Sequence, residues 1–247
     1  MHYFIEQTFH EDICGALDAY RKRTETTIVK LVNSDRWVPA KEKRRDMPDG
    51  NKARVSVTSS VIEFEELVYH FMEDVEDIYS INLYVPIVAY LTSTFEKMLR
   101  QLQEISKAKM LRDGQVLAIV ENAVYVTDFL FTKITADLKK RFERDVPELD
   151  KLRRRLEAVE GALVESYVKR RAEDLSNLLL DAAEGGFRSK KNKHRETDKP
   201  DFISNAMDKV IDTMRVFSVD AGPGIRDRVM TPLVLQLVTI LTEGNCL

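Results

Sequence analysis

The chain has 247 residues and a formal charge of −3, with 44% apolar and 32% charged residues but only nine glycines and seven prolines. That length is enough for one large domain or two small ones with a real core, and the mix excludes disorder and a turn-rich β-sandwich. No membrane-spanning helix is expected, because the longest apolar run, 233–241, contains Gln236 and falls far short of the roughly 20 residues a spanning helix needs.

In chain order, Ile5, Phe9, Ile13, Leu17, Tyr20, Ile28 and Leu31 recur at helical spacing and predict a first helix. A polar break follows over about 34–56. It holds the single tryptophan and, between residues 35 and 54, seven Lys/Arg against four Asp/Glu. Val38-Pro39 predicts extended backbone, since the residue before proline avoids the α region. Trp37 is expected to anchor this joint against a neighbouring helix. Lys41, Lys43, Arg44 and Arg45 are expected to face water, and Pro48-Asp49-Gly50 to turn. The β-branched run 53–61 fits a short strand but leads better into a second helix, marked by Val61, Phe64, Val68, Phe71, Val75 and Ile78.

Leu83, Ile87, Leu91, Phe95, Met98, Leu102 and Ile105 mark a third helix. Asn82 and Pro86 near its start leave open one kinked rod with the second. A fourth helix starts at Asp113, a good capping residue. Its stripe is Leu117, Val120, Val124, Phe131, Ile134, Leu138 and Phe142, with Thr127 in the one gap. Val116, Ile119, Ala123, Val126 and Leu130 widen that face, so this helix should be central. A fifth carries Leu149, Leu152, Leu156, Val159, Leu163, Tyr167, Leu175 and Leu178, with Pro147 in its first turn and Gly185-Gly186 expected to end it.

The run 188–199 has six Lys/Arg against two Asp/Glu and no aromatic. It reads as a polar loop with weak, salt-sensitive attraction to anionic lipid. Two shorter helices close the chain, one with Phe202, Ala206, Val210, Met214 and Phe217, the other after Gly222-Pro223-Gly224. Thr231-Pro232 kinks or restarts the last one. The prediction is an all-α region of 1–247, about seven helices with short turns, with sub-bundles 1–184 and 200–247 and a second polar break at about 185–200.

Chemistry is sparse. Glu66, His70 and Asp74 share one stripe of the second helix, and a histidine between carboxylates can bind a divalent metal. One helix supplies too few ligands, so the stripe reads as a solvated face. Glu73-Asp74-Val75-Glu76-Asp77 is similar to the Mg²⁺-diphosphate motif of all-α isoprenoid synthases, but no second metal motif accompanies it. "AGPGIRD", 221–227, lacks the Gly-Lys-Ser/Thr of a phosphate loop. The histidines at 2, 10, 70 and 194 are scattered. We therefore expect no catalytic, cofactor-binding or metal site, and assign no binding residues. Outside its two basic segments the body is acidic, which argues against a nucleic-acid partner. Cys14 and Cys246 are isolated, fitting a reducing cytoplasm. The start, "MHYFIEQTFHED", has no signal-peptide pattern, and the ending "GNCL" is not a prenylation box.

Several local patterns together resemble the C-terminal part of exocyst complex component two, the Sec-five subunit. These are Trp37-Val38-Pro39 before a polar stretch, and Asn122 and Tyr125 in "VLAIVENAVY", with Glu121 where a small polar residue is usual. To them is added "LVESYVKRRAEDL", with Leu163, Val164, Glu165, Tyr167, Arg171, Ala172 and Leu175 at matching positions. The ordered set covers roughly 30–240. The resemblance implies a helical-rod tethering fold of bundles stacked end to end into an elongated subunit. It implies a non-catalytic role, holding secretory vesicles at the plasma membrane before fusion. The implied partners are the other exocyst subunits and a small GTPase bound through regions outside this sequence. Membrane association would be peripheral, through the complex. The alternatives are a related Golgi or endosomal tether, or a metal-dependent helical enzyme built on the 63–77 stripe.

Overall fold

The computed structural model describes residues 2–46, 52–76, 83–108, 110–143, 145–189, 208, 211–212 and 223–244. In order these form α1 (His2–Ser34), β1 (Lys41–Asp46), β2 (Lys52–Val57), α2 (Ser59–Asp74), α3 (Tyr84–Ser106) and α4 (Asp113–Val124). A π-helical turn (Tyr125–Leu130) carries α4 into α5 (Phe131–Phe142), followed by α6 (Pro147–Ser189) and α7 (Pro223–Gly244). The architecture is all-helical as expected, with one addition. The joint after α1 contains a two-stranded sheet, so the run 53–61 opens as a strand before it enters α2, and the run from Lys41 is strand as well: Lys41 is exposed as expected, Lys43 is half-buried, and the side chains of Arg44 and Arg45 lie outside the described residues. Val55 and Val57 are buried at alternate positions of β2. That period-two pattern packs one face of a strand and cannot serve a helix stripe.

Further boundaries differ from expectation. The N-cap of α4 is Arg112 and Asp113 is its first helical residue. Gln115 closes the end instead, its side-chain oxygen accepting the Arg112 backbone N–H at 3.0 Å. α2 closes at Asp74 and α3 opens at Tyr84, so the two are separate elements and not one kinked rod. Pro86 is tolerated because the first N–H groups of a helix have no intrahelical acceptor. α6 runs through Gly185-Gly186 to Ser189, so the glycine pair does not end it. Pro232 lies inside α7. The basic run 190–199, the turn at Pro48-Asp49-Gly50 and most of the 202–217 helix lie outside the described residues.

The chain packs as two compact units, Met1–Arg45 with Val55–Leu163, and Asp46–Arg54 with Val164–Leu247. In the first, an aromatic chain joins the helices. Tyr20 of α1 meets Phe71 of α2 and Tyr90 of α3, and Phe71 stacks on Tyr90 with centroids 3.6 Å apart. Phe95 of α3 packs edge-on against Phe64 of α2 (5.6 Å) and Phe131 of α5 (5.2 Å). Such pairs add to the area they bury. The span Gly114–Phe142 is long and apolar enough, by length and composition alone, to cross a membrane; 72% of its apolar window is buried within the protein, as in a central core helix. α5 ends on Glu143 in the left-handed conformation (φ 51), with Lys139, Lys140 and Arg141 at the negative end of the helix dipole. In the second unit Tyr167, Ala172 and Leu175 of α6 and Val229 and Leu233 of α7 are buried.

Candidate interaction site

Where α1 ends, Asp35 organises the joint. Its Oδ1 accepts the Trp37 backbone N–H at 2.8 Å, and its Oδ2 accepts the Thr58 hydroxyl (2.5 Å) and the Ser60 N–H (2.9 Å). Thr58 is the N-cap residue of α2 and makes no side-chain cap bond itself. Asp35 therefore caps that helix from a distance and places a carboxylate at the positive end of its dipole. The same clamp holds Trp37 at φ 56, a left-handed conformation costly for a bulky side chain. Burial of the Trp37 indole offsets that cost, while the neighbouring Val38 is exposed. The tryptophan thus anchors the joint as expected, through a turn the sequence does not announce.

Asn122 on α4 completes the node. It is fully buried; its Oδ1 accepts the Thr58 N–H at 3.1 Å and its Nδ2 donates to Thr58 Oγ1 at 2.8 Å. One turn on, Tyr125 opens the π-helical segment and donates its hydroxyl to Glu65 Oε1 of α2 at 2.8 Å. Glu65 Oε2 forms an ion pair with Lys43 of β1. Burial, then the bond to Glu65, pushes the Tyr125 phenol well above its usual range. It stays protonated as a hydrogen-bond donor and is no acid–base catalyst near neutral pH. Lys43 also lies over the Tyr125 ring at 5.6 Å, and Lys133 over the Tyr69 ring at 4.8 Å. The hydrogen bond to Tyr69 raises the Lys133 ammonium. Around these groups is a groove of about 410 Å³, lined by Lys43, Glu65, Tyr69, Tyr125, Phe129 and Lys133 among others. It lies in the first unit and is basic, aromatic and open.

A second groove in the same unit, about 500 Å³, is flanked by Arg21 of α1 and by Lys151 and Arg155 of α6, with exposed Val85 of α3 at its margin. Its acidic groups are engaged: Glu96 pairs with Arg155 at 2.6 Å, and Glu148 accepts from Tyr84 at 2.5 Å.

Glu66, His70 and Asp74 do share the outward face of α2 and all three are exposed. Asp74 accepts a bond from Tyr20, and Glu76 pairs with Arg141 at 3.2 Å. Among the described residues no three His, Cys, Asp or Glu side chains gather as a metal site. His10 contacts Cys14 (3.5 Å) within α1. The sequence marks Lys43 only as a water-facing charge, and Asn122 and Tyr125 only through the family resemblance; it does not mark Glu65 or the Asp35 node.

A family model for exocyst complex component Sec5 matches residues 27–244. The chain belongs to the Sec5 family. No curated protein and no solved structure matches the chain. Sec5 is a component of the exocyst, a vesicle-tethering complex of several subunits, and its family is non-catalytic. Of the residues that carry the resemblance, Trp37, Asn122, Tyr125, Leu163, Tyr167, Ala172 and Leu175 are buried, whereas Val38, Pro39 and Glu165 are exposed. Glu121, the departure from the usual small polar residue, is buried as well.

Proposed function

We propose that this chain is a helical region of an exocyst subunit that holds secretory vesicles at the plasma membrane before fusion. It acts in the cytoplasm, binds other exocyst subunits and reaches the membrane peripherally, through the assembled complex. A small GTPase would engage the subunit through regions outside this sequence. The observation that carries this reading is the family match across nearly all of the packed helices. The chemistry of the site supports it, because Asp35, Asn122, Tyr125 and Glu65 are spent on holding helices together. No substrate-directed nucleophile–base pair stands among them. Affinity purification of the full-length gene product from its own cells, with partners identified by mass spectrometry, tests the proposal. Recovery of the other exocyst subunits is the expected result. Recovery of a Golgi or endosomal tether in their place would overturn it.

A further inference from the structure

Among the described residues β1 and β2 pair only with each other, so each strand leaves one edge without a ladder there. β2 is the anchored strand, through buried Val55 and Val57, and β1 presents Lys41 and Glu42 to solvent. The bond from Ala40 N–H to Val57 C=O, 2.9 Å, fixes the phase. Ala40 directs its amide at β2, so Lys41 and Lys43, one and three residues on, direct theirs to the open side. These alternate positions carry the same charge, and Arg45 occupies the next one in register. Lys43 contacts Glu65 and Tyr125, so the strand borders the aromatic groove, where Lys133 also lies. Among the described residues Lys41 has no ion-pair or hydrogen-bond partner.

We propose that the open edge of β1 is a docking site for an extended acidic segment of a partner protein. That segment adds to the hairpin as a third strand with carboxylates at alternate positions. Main-chain bonds to an edge supply affinity, and alternate side chains set the register. Charge selects the occupant. β1 reads KEKRRD, four cations against two anions. An anionic strand gains opposite-charge neighbours along it, and a basic one is repelled. Edge lysines ordinarily keep neutral or basic strands away, which leaves acidic ones favoured. Side chains on the groove side of the incoming strand would lie along Tyr125 and Phe129, with Lys133 as a second cation. The inference rests on the strand and the groove and holds whichever tether the chain serves.

The test uses the full chain and a short fluorescein-labelled peptide of alternating Glu and Val, with a matched Lys–Val peptide as control. Lys41→Glu reverses the edge charge. Lys41→Pro deletes an outward N–H at the start of the strand, where proline is tolerated. Lys133→Glu, outside the hairpin, gives an independent reading should the strand variants fail to fold. Fluorescence anisotropy should show saturable binding of the Glu–Val peptide only. Lys41→Glu and Lys133→Glu should each weaken it roughly 2- to 5-fold, the scale of a cross-strand charge pair. Lys41→Pro should weaken it at least as much, and the Lys41 and Lys43 amides should gain protection from hydrogen exchange on binding. Absence of saturable binding, or binding indifferent to all three variants, would overturn the proposal. So would phosphatidylserine vesicles that bind in a Lys41-dependent way while the peptide does not, since the site would then read lipid. A concentration-dependent dimer abolished by Lys41→Pro would give the edge to a second copy and equally overturn it.

Discussion

Asn122→Ala isolates the node that joins α4 to the start of α2. The Asn122 side chain satisfies a backbone N–H and a hydroxyl of Thr58, a residue that is itself fully buried. Truncation leaves the Thr58 N–H buried without an acceptor, which costs about 1–3 kcal/mol. The vacated space adds a cavity contribution of roughly 24 cal/mol per Å³. Thr58 Oγ1 keeps its bond to Asp35, so the hydroxyl is not orphaned. The expected loss is about 2–4 kcal/mol, read as a lower urea midpoint at unchanged slope in the transition that unfolds the first unit. Asn122→Asp should cost a similar amount. It keeps the acceptor but places a second carboxylate at a hydroxyl whose proton already goes to Asp35. A double-mutant cycle with Thr58→Val should show coupling above about 0.5 kcal/mol. A loss from Asn122→Ala below about 0.5 kcal/mol, the scale of surface changes, would refute the reasoning, and so would strict additivity with Thr58→Val.

Phe131→Ala and Leu163→Ala should each destabilise by about 2–5 kcal/mol in urea unfolding, since both side chains are buried. His70→Ala should leave the melting temperature and partner recovery unchanged, because the ring is exposed; a metal co-purifying at one equivalent and lost in the variant would contradict this. Tyr90 is pushed up to about 12, chiefly by burial. The unfolded phenol titrates near its ordinary 10, so this contribution to stability is complete below that pH and is lost as pH rises through about 12. Tyr90→Phe should flatten the alkaline part of the stability profile, and a profile equally steep in the variant would remove Tyr90 as its cause.

The helices were legible because each buries one face at a fixed spacing; Phe131, Leu163 and Leu175 follow from period alone. Trp37 was legible as an anchor because no other side chain in its stretch has comparable apolar area. β1 was not legible, since KEKRRD has no apolar face to alternate; what holds it is the remote pair to Glu65 and the ladder to β2. The left-handed turn at Trp37 is likewise imposed by Asp35 and has no local signal, for tryptophan does not favour it. The glycine pair at 185–186 does not end α6 because propensity is a weak prior: glycine inside a helix costs only about 1 kcal/mol relative to alanine. In the candidate site the family pattern pointed to Asn122 and Tyr125, whereas Glu65 and Lys43 look like ordinary surface charges until the fold brings them together.

The π-helical turn at Tyr125–Leu130 holds one residue more than an α-helical turn needs, which makes it a place where the chain can shorten harmlessly. Deleting one residue from a regular helix turns everything downstream by roughly 100° relative to what came before. Removal of Val120 would therefore swing Phe131, Ile134 and Leu138 out of the core. Removal of Thr127, whose buried hydroxyl has no hydrogen-bond partner, would convert the π turn to α and leave those three side chains facing inward. Length variation among relatives is thus expected to concentrate at this turn, with the flanking helical segments keeping a fixed count.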